Sequence, residues 1–173
     1  MLSVKMQDAL NAQINAEMWS AYLYLSMSMA AADKGLKGMA NWFAVQFKEE
    51  QDHAQIIINY ILSRGGRVKL AAIDAVETEW DSPIDMFEQT LTHERKVTSM
   101  IHNLYNLAVE ERDHATSNML NWFVDEQVEE EDSAREIIDQ LRLIECNKLG
   151  LYMIDKEMAT RTYTTPSPLA TAE

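Results

Sequence analysis

The chain has 173 residues, a formal net charge of −13, five Gly, three Pro and one Cys. That length fits a single domain with a substantial core, and the charge argues against nucleic acid or anionic membrane as partners. Cys146 stands alone, which excludes a disulfide within the chain and any all-cysteine metal site.

Scarce Gly and Pro beside abundant Ala, Leu, Met, Glu and Gln point to long helices. No apolar run reaches transmembrane length, and the N-terminus has no basic segment followed by an apolar one. A cytoplasmic protein whose ligands are cations is expected.

A first helix is predicted from residue 3 to about 33, capped by Ser3. Leu10, Ile14, Glu17, Ala21, Tyr24 and Ser28 form a stripe spaced four and three apart, which places a glutamate in the middle of a buried seam. Gly35 and Gly38 mark a short turn, so the next helix is an antiparallel neighbour. It runs from about Met39 to Ser63, ahead of Gly65 and Gly66, with seam Met39, Phe43, Gln46, Glu50, His53, Ile57 and Tyr60. Glu50 and His53 lie one turn apart on the inward face.

Residues 64–81 hold no helical stripe and are too many for a tight hairpin. At about 3.3 Å per extended residue they can run the length of a helix bundle, which implies one long crossover. Ser82 and Pro83 then read as a cap and first helical residue. The third helix carries the seam Phe87, Leu91, Glu94, Thr98, Ile101, Tyr105 and Ala108, and ends near 112–114. The fourth presents Thr116, Leu120, Phe123, Gln127, Glu130, Ala134, Ile137, Leu141 and Ile144. Its pattern stops around residues 147–150. A short fifth helix follows, about Lys148 to Met158, with Leu151, Ile154 and Met158 on one side. Residues 1–158 form the domain, and the polar segment 159–173 reads as a flexible tail.

One stretch is written twice. NWFAVQFKEEQDHAQIII (residues 41–58) returns 80 positions later as NWFVDEQVEEEDSAREII (121–138), with His53 against Ser133 and Phe47 against Gln127. Two similar helices, each with a carboxylate at the same height, imply a two-fold-like bundle with something held between its halves.

The polar seam positions are Glu17, Glu50, His53, Glu94, Gln127 and Glu130, and no Lys or Arg lies on any seam. An unpaired buried carboxylate costs several kcal/mol, on the order of the penalty for an isolated buried ion. Protonation does not plausibly neutralise four at neutral pH, which leaves metal. Any one of these residues alone reads better as a hydrogen-bonded core group. The combination is one Glu from each of two helices, a Glu-x-x-His from a third and a degenerate partner, Gln127-x-x-Glu130, from the last, the arrangement of di-iron and di-manganese bundles. A set rich in oxygen with one nitrogen suits iron or manganese better than copper or structural zinc.

Other features have ordinary explanations. The indoles of Trp42 and Trp122 pack, His93, His102 and His114 fall off the seams, and Glu49, Glu126 and Glu129 flank them as a solvated acidic face or a metal-transfer route.

These residues resemble the ferritin family, and within it the bacterial and archaeal non-haem ferritins. The resemblance covers roughly residues 3–158. It rests on Glu17 with Tyr24, EEQDH at 49–53, Glu94 in THERK, and DEQVEEE at 125–131. It implies an all-α, ferritin-like four-helix bundle with one long crossover and a short C-terminal helix. It also implies a ferroxidase that oxidises Fe(II) with dioxygen or hydrogen peroxide and stores ferric mineral inside a shell of 24 subunits. Carried over by position, Glu17, Glu50 and His53 would form a first iron site, and Glu50 would bridge to a second iron held by Glu94 and Glu130, with Gln127 in its outer shell. Glu49, Glu126 and Glu129 would form a third, cavity-side site with Glu130, and Tyr24 would hydrogen-bond the centre and lend an electron. Haem is not expected, because Asp52 stands where bacterioferritins carry the haem-ligating Met. Ser117 and Leu120 replace the acidic pore residues of animal ferritins.

Three other classes fit less well. A rubrerythrin-like peroxidase needs a CxxC…CxxC electron-delivery module, which one cysteine cannot supply. A DNA-protecting starvation protein lacks a fifth helix and places its ligands across a dimer interface. A non-catalytic storage subunit would not keep Glu17, Glu50, His53, Glu94 and Glu130 together.

Overall fold

The computed structural model describes residues 2–145 and 147–170, so Cys146 lies outside the described residues. Two compact units partition the chain, Met1–Trp80 with Asn147–Glu173, and Asp81–Cys146.

The first unit is built on α1 (Val4–Asp33) and α2 (Lys37–Ser63). The Ser3 hydroxyl accepts from the Met6 amide at 2.9 Å, capping α1 as its residue type predicts. All six α1 seam residues are buried, Glu17 included. The turn into α2 closes with Gly35 at φ 79°, while the Gly35 and Leu36 amides donate back to the carbonyls of Ala32 and Ala31. Such a left-handed ending favours glycine because a Cβ there meets the backbone.

Gly38 has a different role from the turn residue expected. It lies inside the first turn of α2, where an added Cβ would stand 1.6 Å from the carbonyl oxygen of Asp155. Asp155 belongs to the short helix α5 (Lys148–Met158), which docks here. Leu36, at the N-cap of α2, supplies no side-chain cap. Asp155 supplies one from 117 residues away, its Oδ1 accepting from the Gly38 amide at 2.8 Å and the Met39 amide at 2.9 Å. A carboxylate there satisfies two orphan donors and faces the positive end of the α2 dipole.

The α2 seam holds from Met39 to Ile57, but Tyr60 is only half-buried and Ile61 takes the buried place. An alternating four-and-three pattern averages 3.5 residues per turn and drifts off the face of a straight helix of 3.6.

The predicted crossover has no regular secondary structure over residues 66–80. It lies along α1, fastened by a row of polar side chains. Gln7 accepts from the Arg67 amide (2.8 Å), and Asn11 both donates to the Arg67 carbonyl (3.1 Å) and accepts from the Lys69 amide (2.7 Å). Asn15 donates to Ala72, Ser26 to Glu77 and Lys34 to Trp80. Lengths explain the fit. Gln7 to Lys34 is about 40 Å of helix at 1.5 Å per residue, and Arg67 to Trp80 is about 43 Å of extended chain.

In the second unit, α3 (Pro83–Glu110) begins as predicted, with Pro83 in its first turn and the Ser82 hydroxyl accepting from the Asp85 amide. The turn to α4 (His114–Leu143) repeats the geometry of the first hairpin, with Arg112 at φ 56° where Gly35 stands in the other. Asp113 then caps α4, accepting from the amide and hydroxyl of Thr116. On α3 the seam is rotated from the one predicted. Phe87, Glu94, Ile101 and Ala108 are buried, but Thr90, Val97 and Leu104 replace the half-buried Leu91, Thr98 and Tyr105. On α4 every predicted seam residue is buried except Ile144, which lies just beyond the helix as its C-cap.

The short fifth helix has its predicted bounds, capped by Asn147 and burying Ile154 and Met158, with Leu151 half-buried. The internal repeat survives as geometry, since Trp42–Phe43 and Trp122–Phe123 both meet edge to face, at 5.2 and 4.9 Å between ring centres. No helix among the described residues is long and apolar enough to cross a membrane.

Candidate metal centre

In the first unit, α1 contributes Glu17 and α2 contributes Glu50 and His53, each no more than 2% exposed. One ligand atom from each, two carboxylate oxygens and an imidazole nitrogen, lie within 4.8 Å of one another. The spacing of Glu50 and His53 puts them on one face of α2, with His53 Nδ1 3.6 Å from Glu50 Oε2. Gln13, one turn before Glu17 and equally buried, donates to Glu17 Oε1 at 2.8 Å. Glu17 Oε2 is buried and accepts no hydrogen bond among the described residues.

Buried polar atoms are nearly always satisfied, so an exception needs an explanation. Two carboxylates held this close repel by about 3.5 kcal/mol at an effective dielectric of about 20. A divalent cation would remove both difficulties at once, and the donor set of hard oxygens plus one imidazole fits iron.

The second unit carries its own buried polar group. Glu94 of α3 and Gln127 and Glu130 of α4 are 1%, 3% and 6% exposed. The Gln127 amide nitrogen lies 3.2 Å from Glu94 Oε2, 3.3 Å from the Glu94 carbonyl and 3.3 Å from the Thr98 hydroxyl. Thr98 in turn bonds Glu131, which also pairs with Arg95 and Arg135. An amide thus stands beside Glu94 at the position equivalent by repeat to Phe47, and Glu130 follows one turn later.

The remaining predicted residues are placed as follows. Tyr24 is fully buried two turns along α1 from Glu17 and stacks on Phe43. Glu126 is half-buried and Glu129 exposed. Glu49 is half-buried, and its Oε2 is held at 2.7 Å by Arg161, from the tail expected to be flexible. His102 and His114 are exposed. His93 is half-buried, and burial, with the Lys96 charge adding, lowers its pKa to about 4, so the ring is neutral at neutral pH.

Sequence reasoning missed Gln13, Thr98 as a partner of Gln127, and Arg161. Gln13 had a signal, because it lies four residues before Glu17 on the same face. Arg161 had none, since its partners lie 112 and 115 residues away.

The model of the ferritin-like domain matches residues 7–144. A bacterial non-heme ferritin of Bacteroides fragilis is 42% identical over 161 residues, covering 93% of this chain and all of the relative. One from Staphylococcus saprophyticus is 40% identical over 163 residues, 94% of this chain and 98% of the relative. Among solved structures, an Archaeoglobus fulgidus ferritin engineered to a closed form superposes with a TM-score of 0.94 at 49% identity, covering 95% of this chain and all of the other. The open-pore ferritin of that archaeon gives 0.93 at 50% identity, with 94% and full coverage. With its four long helices, extended connection and short fifth helix, the chain belongs to the ferritin family.

Proposed function

We propose that this protein stores iron and is a ferroxidase, taking up Fe(II), oxidising it with dioxygen or hydrogen peroxide, and retaining the Fe(III) as mineral within a shell of about 24 copies. The observation that carries the reading is the Glu17–Glu50–His53 set, buried and drawn together with an unsatisfied carboxylate oxygen. Family membership supports it independently.

Glu17, Glu50 and His53 are assigned to a first iron, and Glu94 and Glu130 to a second, with Gln127 beside them. Hard anionic oxygens stabilise Fe(III) over Fe(II) and so favour loss of an electron to oxygen. Two Fe(II) ions supply two electrons, which with two protons reduce dioxygen to hydrogen peroxide. His53 against Ser133 makes the two irons unequal, the imidazole-ligated one being the tighter. Tyr24 is assigned as the electron-lending neighbour, and Glu49, Glu126 and Glu129 as an onward route for Fe(III).

The test is addition of Fe(II) to metal-free protein in air, following ferric absorbance and then the iron retained after gel filtration. Fast oxidation of about two irons per subunit is expected, with many more retained in a particle of roughly 480 kDa, given a chain of 19.8 kDa. Oxidation that stops at the fast phase in a small oligomer would leave a di-iron enzyme and end the storage reading.

A further inference from the structure

Past α5 the chain folds back along α2. Asn41 donates to the carbonyls of Met158 and Arg161, the Tyr163 hydroxyl donates to Asp52, and Lys48 lies over the Tyr163 ring at 5.6 Å. The Arg161 guanidinium stacks on Trp42 at 4.5 Å. One guanidinium nitrogen donates to both Gln46 Oε1 and Glu49 Oε2, while the other lies 3.3 Å from the Trp42 carbonyl. Gln46 is fully buried, so its oxygen is fixed.

Three oxygens of different kinds therefore converge on one cationic group: an amide, a carboxylate and a backbone carbonyl. Hard divalent cations choose such a set, and here a tethered guanidinium takes the place of the ion. Gln46 lies one turn before Glu50 on the buried face of α2, so this position adjoins the first-unit carboxylate–imidazole set. We propose that Arg161 is a built-in counter-ion plugging a divalent-cation position at Gln46 and Glu49, which metal reaches only when the C-terminal tail is displaced. The proposal rests on the metal-storing reading for the source of the ion, not for the geometry of the plug.

Removing the plug leaves Glu49 without its guanidinium beside two neutral oxygens, a set ready to take a cation. The full-length assembled protein is titrated calorimetrically with Zn(II), a redox-inert divalent probe, as wild type, Arg161→Gln, Arg161→Lys and Arg161→Gln with Glu49→Gln. Arg161→Gln is expected to bind about one more Zn(II) per subunit than wild type. The lysine variant keeps the wild-type count, because an ammonium still fills the position, and the double variant loses the gain. Equal counts in wild type and Arg161→Gln, or a gain that survives Glu49→Gln, overturn the proposal.

The outcomes separate the two readings. Wild type that binds Zn(II) with no gain in Arg161→Gln sinks the plug alone, whereas a gain of one site over a wild type that binds none sinks the metal centre alone. If Arg161→Gln does not assemble, Arg161→Met, which keeps the apolar stem against Trp42 and loses the charge, takes its place with the same two outcomes.

Discussion

Glu17→Gln should make the metal-free protein more stable and the metal-loaded protein less so. Glu17 and Glu50 each offer an oxygen within the same 4.8 Å cluster and are almost wholly buried. At an effective dielectric of about 20, their repulsion at that distance is about 3.5 kcal/mol. An amide of the same shape removes it. Its oxygen can still accept from Gln13, and its nitrogen can donate toward Glu50. Relaxation and the nearby His53 imidazole reduce the realised gain to about 1–2 kcal/mol. For a chain of this size that raises the thermal midpoint by about 3–6 °C. Saturating Zn(II), at about 100 times its dissociation constant, should stabilise wild type by a further ~2.7 kcal/mol per site and the variant by far less. The order of the midpoints therefore inverts on loading. Scanning calorimetry of both assembled proteins at one concentration and scan rate reads it. A metal-free midpoint at or below wild type, or an equal rise on loading, would refute the argument that these carboxylates are kept close for a cation.

Three further perturbations test the scaffold. Asp155→Ala removes the cap that α5 lends to α2 and should cost about 1–2 kcal/mol; hydrogen exchange should quicken at the Gly38 and Met39 amides while the α1–α2 turn amides of Gly35 and Leu36 stay protected. Asn11→Ala breaks the two-way link to Arg67 and Lys69 and should cost about 1–3 kcal/mol, with faster proteolysis between residues 67 and 72 as its signature. Arg112→Gly relieves a left-handed backbone at a side-chain-bearing residue and should raise stability by about 0.5–1 kcal/mol, seen as a higher denaturation midpoint with unchanged assembly.

The chemistry was legible because it violates the pattern around it. Glu17, Glu50, Glu94 and Glu130 stand at positions where periodicity demands apolar side chains, and all four are buried. The register of α3 was harder, because apolar residues flank its seam on both sides. Leu91 and Tyr105 compete there with Val97 and Leu104, and only packing decides. Long-range polar contacts were not legible at all. Nothing local to Asp155 or Arg161 indicates that each fastens onto α2 more than 110 residues earlier.

Those unseen contacts set the two copies of the duplicated motif apart. The Trp–Phe pairs of the repeat keep nearly the same edge-to-face geometry, but their surroundings differ. Asn41 holds the carbonyls of Met158 and Arg161, whereas its counterpart Asn121 is exposed. Trp42 is buried under the Arg161 guanidinium, while Trp122 is half-exposed. Glu49 is gripped by Arg161, while its counterpart Glu129 faces solvent. Each difference traces to α5, which docks on α2, and to the residues after it, which bond Asn41, Gln46, Glu49 and Asp52 of that helix. The α2 copy also carries the buried His53 where the other has the half-buried Ser133, so it is the copy with an imidazole inside and a cover outside. The difference in surroundings between the two copies of the motif is thus set partly by residues 148–163.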